Sequence, residues 1–297
     1  MKIRIGMSLG AVSGSGGLAA AVDELEAAGV DSLWFSEMVF GPLMEPFIGM
    51  AYALSRTARL KAGTGVAVLP GRHPVLVAKQ LTSLADLAPG RVLPAFGLRP
   101  ARPAEAAVFP APPGRRAALF DESLKLLRLL LSQESVSFTG EFFSVEAASA
   151  GPLPARPLDI WLGGSAPAAL RRVGRLGDGW LASFLTPAEA ARGREVINAA
   201  AAEAGREIEQ EHFGISVAVG RHGLPDGLVR AISERRPGVD PAELAAASWP
   251  DARRLIDAYV AAGLSKFVIR PAEPVHDLRG ISQFLAEFVT AMIPLQT

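Results

Sequence analysis

Residues 60–80, LKAGTGVAVLPGRHPVLVAKQ, set a short apolar strand, a glycine near its carboxyl end and a helix start side by side. Leu60 to Val66 reads as a buried strand. Pro74 then opens a helix to Leu87, because proline is tolerated where the first helical N–H has no partner anyway. Gly65 has no Cβ, so the backbone at this strand end can come close to something flat. An ordinary joint between strand and helix has the same look. Two similar joints lie downstream, at Gly163-Gly164-Ser165 and Gly177-Asp178-Gly179.

Working outward, the same alternation recurs. Lys2 to Leu9 is a β-rich run, Gly17 to Ala28 a helix with Gly29 as its stop, and Ser32 to Phe35 a strand followed by a helix over Pro46 to Thr57. Arg91 to Phe96 is the fourth strand. Residues 98–116 are proline-rich and read as a long loop, Ala117 to Leu131 as a helix, and Val136 to Val145 as an inserted hairpin. After a second proline-rich link at 149–157, strands at Asp159–Leu162, Gly179–Ala182, Phe213–Val219 and Phe267–Ile269 alternate with helices at Pro167–Leu176, Pro187–Ala204, Asp251–Ala262 and Ser282–Met292. Eight short strands between helices predict a parallel α/β sheet, closed as a (β/α)8 TIM-type barrel with inserted loops and a hairpin. An open doubly wound sheet is the second arrangement compatible with the pattern.

Thirty basic and thirty acidic residues balance, which argues against a polyanion-binding surface and hence against a nucleic-acid partner. There are no cysteines, and His73, His212, His222 and His276 show no metal-ligand spacing, so no metal is expected. The amino terminus reads as a first strand rather than a signal peptide, and no window approaches a membrane span. A cytoplasmic protein with a small-molecule substrate is the expectation.

Four segments, GVDSLWFSE (29–37), TGVAVLPGRHPVLVAKQLTSLADLAPGRV (64–92), FDESLKLLRLL (120–130) and PLDIWLGGSAPAALRRVGRLGDGWL (157–181), stand in the order and spacing of the luciferase-like monooxygenase superfamily. The sequence resembles that family over most of residues 1–205, and in particular its deazaflavin branch, which uses coenzyme F420. The resemblance implies one luciferase-like (β/α)8 barrel domain over 1–297, with insertions near 98–116, 132–157 and 221–250, and a homodimer. FMN is the alternative cofactor.

The resemblance also implies site residues. Gly65-Val66 matches the place of a non-proline cis peptide behind the cofactor ring, with Thr64 and Val66 lining its rear face. Gly163, Gly164 and Ser165 would take a phosphate on helix N–H groups, although capping alone also explains Ser165. His73 either hydrogen-bonds locally at its helix start or helps seat the cofactor. Glu37, Phe96 and Gly97 complete the cofactor set, while Asp178 reads as a turn stabiliser. Arg171, Arg172 and Arg175 read as a solvated basic face, with a polyglutamate tail as the other possibility.

Where relatives of the deazaflavin branch carry histidine after the acid, this chain has Met38. Methionine cannot move protons and can only pack against a ring or an apolar substrate. The fourth strand end, Phe96-Gly97-Leu98-Arg99, also lacks the glutamate of sugar-phosphate-oxidising relatives, so no catalytic residue is assigned. Met38, Phe40, Phe96 and Phe109 are expected to wall an apolar or electron-poor organic substrate, with Glu37 or Arg99 orienting a polar group. The expected activity is hydride transfer with F420. An FMN-dependent monooxygenase and a flavin-binding protein without turnover are the alternatives.

Overall fold

The computed structural model describes residues 1–10, 14–273 and 278–297; His276 lies outside the described residues. Eight parallel strands form the frame: β1 (Arg4–Met7), β2 (Ser32–Phe35), β3 (Lys61–Thr64 continuing as Ala67–Val68), β4 (Val92–Leu93 continuing as Ala95–Gly97), β5 (Trp161–Gly163), β6 (Gly179–Ser183), β7 (Phe213–Val219) and β8 (Lys266–Pro271). Each pairs with the next in sequence. Arg4 of β1 pairs with Lys266 of β8, which closes the ring and removes the open-sheet arrangement.

Two strands are broken where the sequence predicts continuity. In β3 the break falls at Gly65-Val66, whose peptide bond is cis, and two more ladder residues, Ala67 and Val68, follow in what reads from sequence as loop. In β4 it falls at Pro94, which has no N–H to give the ladder.

The helices surround this frame: α1 (Gly14–Ala27), α2 (Pro46–Arg56), α3 (Pro74–Leu87), α4 (Arg116–Ser132), α5 (Pro167–Leu176), α6 (Pro187–Glu203), α7 (Asp226–Arg235), α8 (Trp249–Ala261) and α9 (Leu278–Met292). Their starts follow local chemistry. Thr186 and Glu189 form a reciprocal capping box on α6, Ser248 caps α8 and Glu45 caps α2.

Side chains alternate along each strand. One set, including Ile5, Met7, Leu33, Phe35, Phe96, Leu162, Trp180, Ile215, Phe267 and Ile269, packs in the main core that the helices cover. The other faces the lumen, where Trp34, Ala95, Trp161, Leu181 and Val268 form a small cluster of their own. Near the amino ends of the strands, Asp31 accepts from Lys61 Nζ at 2.7 Å and Lys266 Nζ at 2.6 Å, an ion cluster that plugs the barrel floor.

Three excursions leave the frame. Residues 98–116, a predicted loop, contain a 3-10 helix over Pro103–Val108. The hairpin is present as Val136–Thr139 and Ser144–Ala148. Residues 221–250 hold α7, a 3-10 turn at Pro241–Glu243 and a two-residue strand, Ala245–Ala246, that pairs with the end of β7.

Candidate active site

The carboxyl ends of β1 to β5 converge on the Gly65-Val66 bulge. The Gly65 N–H donates to Phe35 O at 2.7 Å, and the Ser36 hydroxyl donates to Gly65 O at 3.3 Å, tying the bulge to β2. On the other side Val66 leans over β4 and β5. A Cβ on Gly97 would stand 2.8 Å from Val66 Cγ2, and one on Gly163 3.4 Å from Val66 Cγ1. The two glycines are the space that Val66 occupies.

Glu37 is buried beside this bulge. Its carboxylate accepts from Arg72 Nη2 at 2.7 Å, from Arg72 Nη1 at 3.3 Å and from the Val68 N–H at 2.7 Å. Arg72 in turn donates to Val68 O at 3.0 Å and lies over the rings of Phe47 and Phe109. Burial pushes the Glu37 carboxyl up, while the Arg72 charge and the Val68 N–H pull it back down. The arrangement makes Glu37 a brace that fixes the far side of the bulge.

Several expectations change. Thr64 is fully buried: its hydroxyl donates to Ala95 O at 2.6 Å and accepts from Ala95 N at 2.8 Å, so it mends the β3–β4 ladder at the Pro94 break instead of lining a cofactor face. Phe96 is fully buried in the core beneath the helices, because strand alternation turns it away from the lumen. Phe109 is also buried, held by Arg72 and by Gly71, whose positive φ and lack of Cβ let the Phe109 backbone approach. None of these three walls an open site.

His73 caps α3 through Nδ1, which accepts from Val75 N at 3.3 Å, and its ring meets Phe143 of the hairpin edge-on, so the local role is filled. Asp178 is structural, accepting from Arg128, Arg206 and the Ile160 N–H. Arg172 is not part of a solvated face: it is buried against Phe120 and paired with Asp121. Among the substrate residues, Phe40 and Arg99 are exposed and Met38 half-buried. The Phe40 N–H donates to Glu105 Oε1 at 2.9 Å and Phe40 O accepts from Arg102, so the loop after β2 is pinned to the 3-10 segment after β4.

Sequence reasoning missed a small open pocket at the ends of β1 and β2, lined among others by Ser8, Gly10, Trp34, Ser36, Leu43 and Met44. The period-two run Ser32-Trp34-Ser36 was the available signal, since it turns all three to the lumen.

Gly163, Gly164 and Ser165 lead to α5. Ser165 is not the cap. Ala166 is, and it offers no side-chain acceptor; Pro167 has no N–H and the Ala169 and Leu170 N–H groups donate to Ala166 O, which leaves the exposed Ala168 N–H of this first turn with capacity for a ligand. Gly164 has φ +112°, and its carbonyl accepts from Trp180 Nε1 at 2.8 Å, which anchors the turn. These features fit a phosphate-bearing cofactor: a free helix start on one side of Val66 and a polar-rimmed apolar pocket on the other. Among the described residues no His, Asp or Glu cluster suits a metal ion, and no helix is long and apolar enough to cross a membrane.

The family model for luciferase-like monooxygenases matches residues 3–222. The chain belongs to the luciferase-like monooxygenase family. An uncharacterized protein of Mycobacterium tuberculosis is 37% identical over 140 residues, 47% of this chain and 48% of that protein. An F420-dependent hydroxymycolic acid dehydrogenase of the same organism is 34% identical over 174 residues, 56% of this chain and 48% of that one. The luciferase-like chain thus spans about half the length of the curated relatives it matches. An F420-dependent secondary alcohol dehydrogenase, solved with an F420-acetone adduct, superposes with a TM-score of 0.80 at 19% identity over the whole of both chains. At that identity the likeness speaks for the barrel alone.

Proposed function

We propose that this chain is an F420-dependent oxidoreductase acting on a small organic substrate. The observation that carries this reading is the uncapped start of α5 at Gly163-Gly164-Ser165, standing beside Val66 where it packs over Gly97 and Gly163. The naming of curated relatives as F420-dependent dehydrogenases favours deazaflavin over FMN.

In this reading the Ala168 N–H and the exposed Gly163-Gly164-Ser165 turn ahead of it hold the cofactor phosphate, with the positive end of the helix dipole adding to them. Val66 supports the ring from behind, and Ser36, Glu37 and Arg72 keep the bulge in place. The deazaflavin, when bound, supplies a ring carbon that gives or accepts a hydride as a two-electron step. The chain's own residues contribute placement and exclude water; Met38 and Phe40 offer apolar contact beside the polar rim of Ser8 and Ser36. Glu37 stays paired with Arg72 and moves no proton.

We also place the protein as a homodimer. Ile48 on α2 and Leu76 on α3 are more than half exposed, on helices that pack against each other.

Titration of the purified chain with F420 and separately with FMN, read by fluorescence quenching, tests the cofactor. Saturable binding of F420 with weak or no binding of FMN is expected. Preference for FMN points to a monooxygenase, and binding without any substrate-dependent oxidation to a protein that holds the cofactor without turnover. Failure of both overturns the site.

A further inference from the structure

The lumen side of β8 carries Lys266, Val268 and Arg270 at every second position. Lys266 is neutralised by Asp31 at the floor, and Val268 joins the lumen cluster. Arg270, one layer nearer the mouth, is different. It is half-buried and makes no hydrogen bond or ion pair among the described residues; its guanidinium carbon lies 5.8 Å from the ring centre of Phe184. Arg235 of α7 lies over the same ring at 4.7 Å, so two cations stand against one aromatic ring. The next guanidinium along, Arg236, is taken up by Glu189 and Phe184 O. Burial pulls the Arg270 pKa down from its ordinary value.

A half-buried guanidinium without a partner carries part of the cost of an unpaired charge, and its fork of N–H groups matches a carboxylate or phosphate in two-point contact. The other half-buried or buried arginines divide: Arg172 has Asp121, Arg206 has Asp178 and Arg221 has Glu287, whereas Arg91 and Arg116 donate to backbone carbonyls and Arg194 lies over Phe213 away from the mouth. Arg270 sits instead where β8 opens to the mouth, roofed by the 221–250 segment, whose Leu224, Leu228, Ile232 and Leu244 pack with Phe184 and Ala218. Ala218 is its register partner on β7 and is too small to cover it.

We propose that Arg270 seats the anionic group, a carboxylate or a phosphate, of the substrate. This rests on the reading that the mouth is an F420-dependent site, and it replaces the wholly apolar substrate expected from sequence with one that is apolar at its reacting part and anionic at its far end. The cofactor's own phosphodiester and carboxylates are the other source of the same chemistry.

The test is phenylglyoxal labelling of the full chain, resolved by peptide mass spectrometry, in inorganic phosphate, acetate or chloride at equal ionic strength. Phosphate or acetate should slow labelling of Arg270 several-fold relative to chloride and leave exposed Arg59 unchanged; equal labelling of Arg270 in all three overturns the proposal. F420 titration of Arg270→Met then separates the two sources. A substrate role leaves the F420 Kd within about threefold of the unsubstituted chain, whereas a loss of about tenfold or more hands Arg270 to the cofactor and overturns the proposal. Arg270→Lys, which keeps the charge, should retain part of the thermal stabilisation by phosphate and guards against misfolding of the methionine variant. If F420 does not bind the unsubstituted chain while phosphate protects Arg270, the cofactor reading falls and the anion seat stands.

Discussion

Thr64 shows how much a single hydroxyl settles at this site. It gives one hydrogen bond to Ala95 and takes another, filling the rung that Pro94 vacates. Thr64→Val keeps the shape and removes both bonds, leaving a buried N–H on Ala95 unpaired. A loss of about 1–3 kcal/mol in urea unfolding is expected, and a change below the scatter of the measurement would remove Thr64 from this role. From the sequence, Thr64 reads as a cofactor contact because it adjoins Gly65. Hydrogen bonding across strands is a relation between residues 31 apart, which no local pattern displays. Phe96 and Phe109 mislead for a related reason: an aromatic at a strand end or in a loop is legible, but the direction it points is set by the pleat and by Arg72.

At the scale of elements, the bulge between the two halves of β3 is held by three neighbours: Ser36 from β2, Gly97 at the end of β4 and Gly163 at the end of β5. Gly97→Ala drives a methyl to 2.8 Å of Val66 Cγ2, which a packed mouth absorbs only by moving Val66. F420 affinity should fall by about tenfold while the far-UV spectrum is unchanged. Fluorescence titration of the alanine variant checks this, and an unaltered Kd would show that Val66 does not support the cofactor. Glycines at strand ends were visible in the sequence; the uncapped start of α5 was not, since Ser165 reads as a possible cap until the fold puts Ala166 in that place. That Gly97 and Gly163 serve one valine, 31 and 97 residues before them, was not.

For the molecule as a whole, the barrel floor and the outer helices carry separate predictions. At the floor, the Lys61 and Lys266 charges hold the Asp31 carboxyl well below the usual carboxylate range in spite of its burial. A depressed folded pKa contributes stability that is complete above the unfolded value of about 3.9 and is lost as pH falls toward the folded one. Urea midpoints should therefore decline below about pH 4, and Asp31→Asn should be less stable at neutral pH with a flatter acid limb. An acid limb of equal slope in both proteins would exclude Asp31 as its source. On the outside, Leu76→Glu places a charge where Leu76 is 67% exposed and a partner copy is proposed. Sedimentation velocity should show a dimer for the unsubstituted chain and a monomer for the variant, and a monomeric unsubstituted chain ends the proposal.

Alternation of short apolar runs with helices is a periodic, local property, and it is enough to specify eight strands, their order and the position of the mouth at their carboxyl ends. Composition and spacing likewise separate residues 98–116 and the hairpin from the frame. What the folded chain alone decides is orientation and partnership. Glu37 becomes a brace because Arg72 and Val68 meet it, and Arg172 is buried because Asp121 does. Arg270 has no acid partner among the described residues. Those outcomes depend on which charges and hydroxyls arrive together in space after distant strands close into a ring, and free energy of that kind is not written in any single segment.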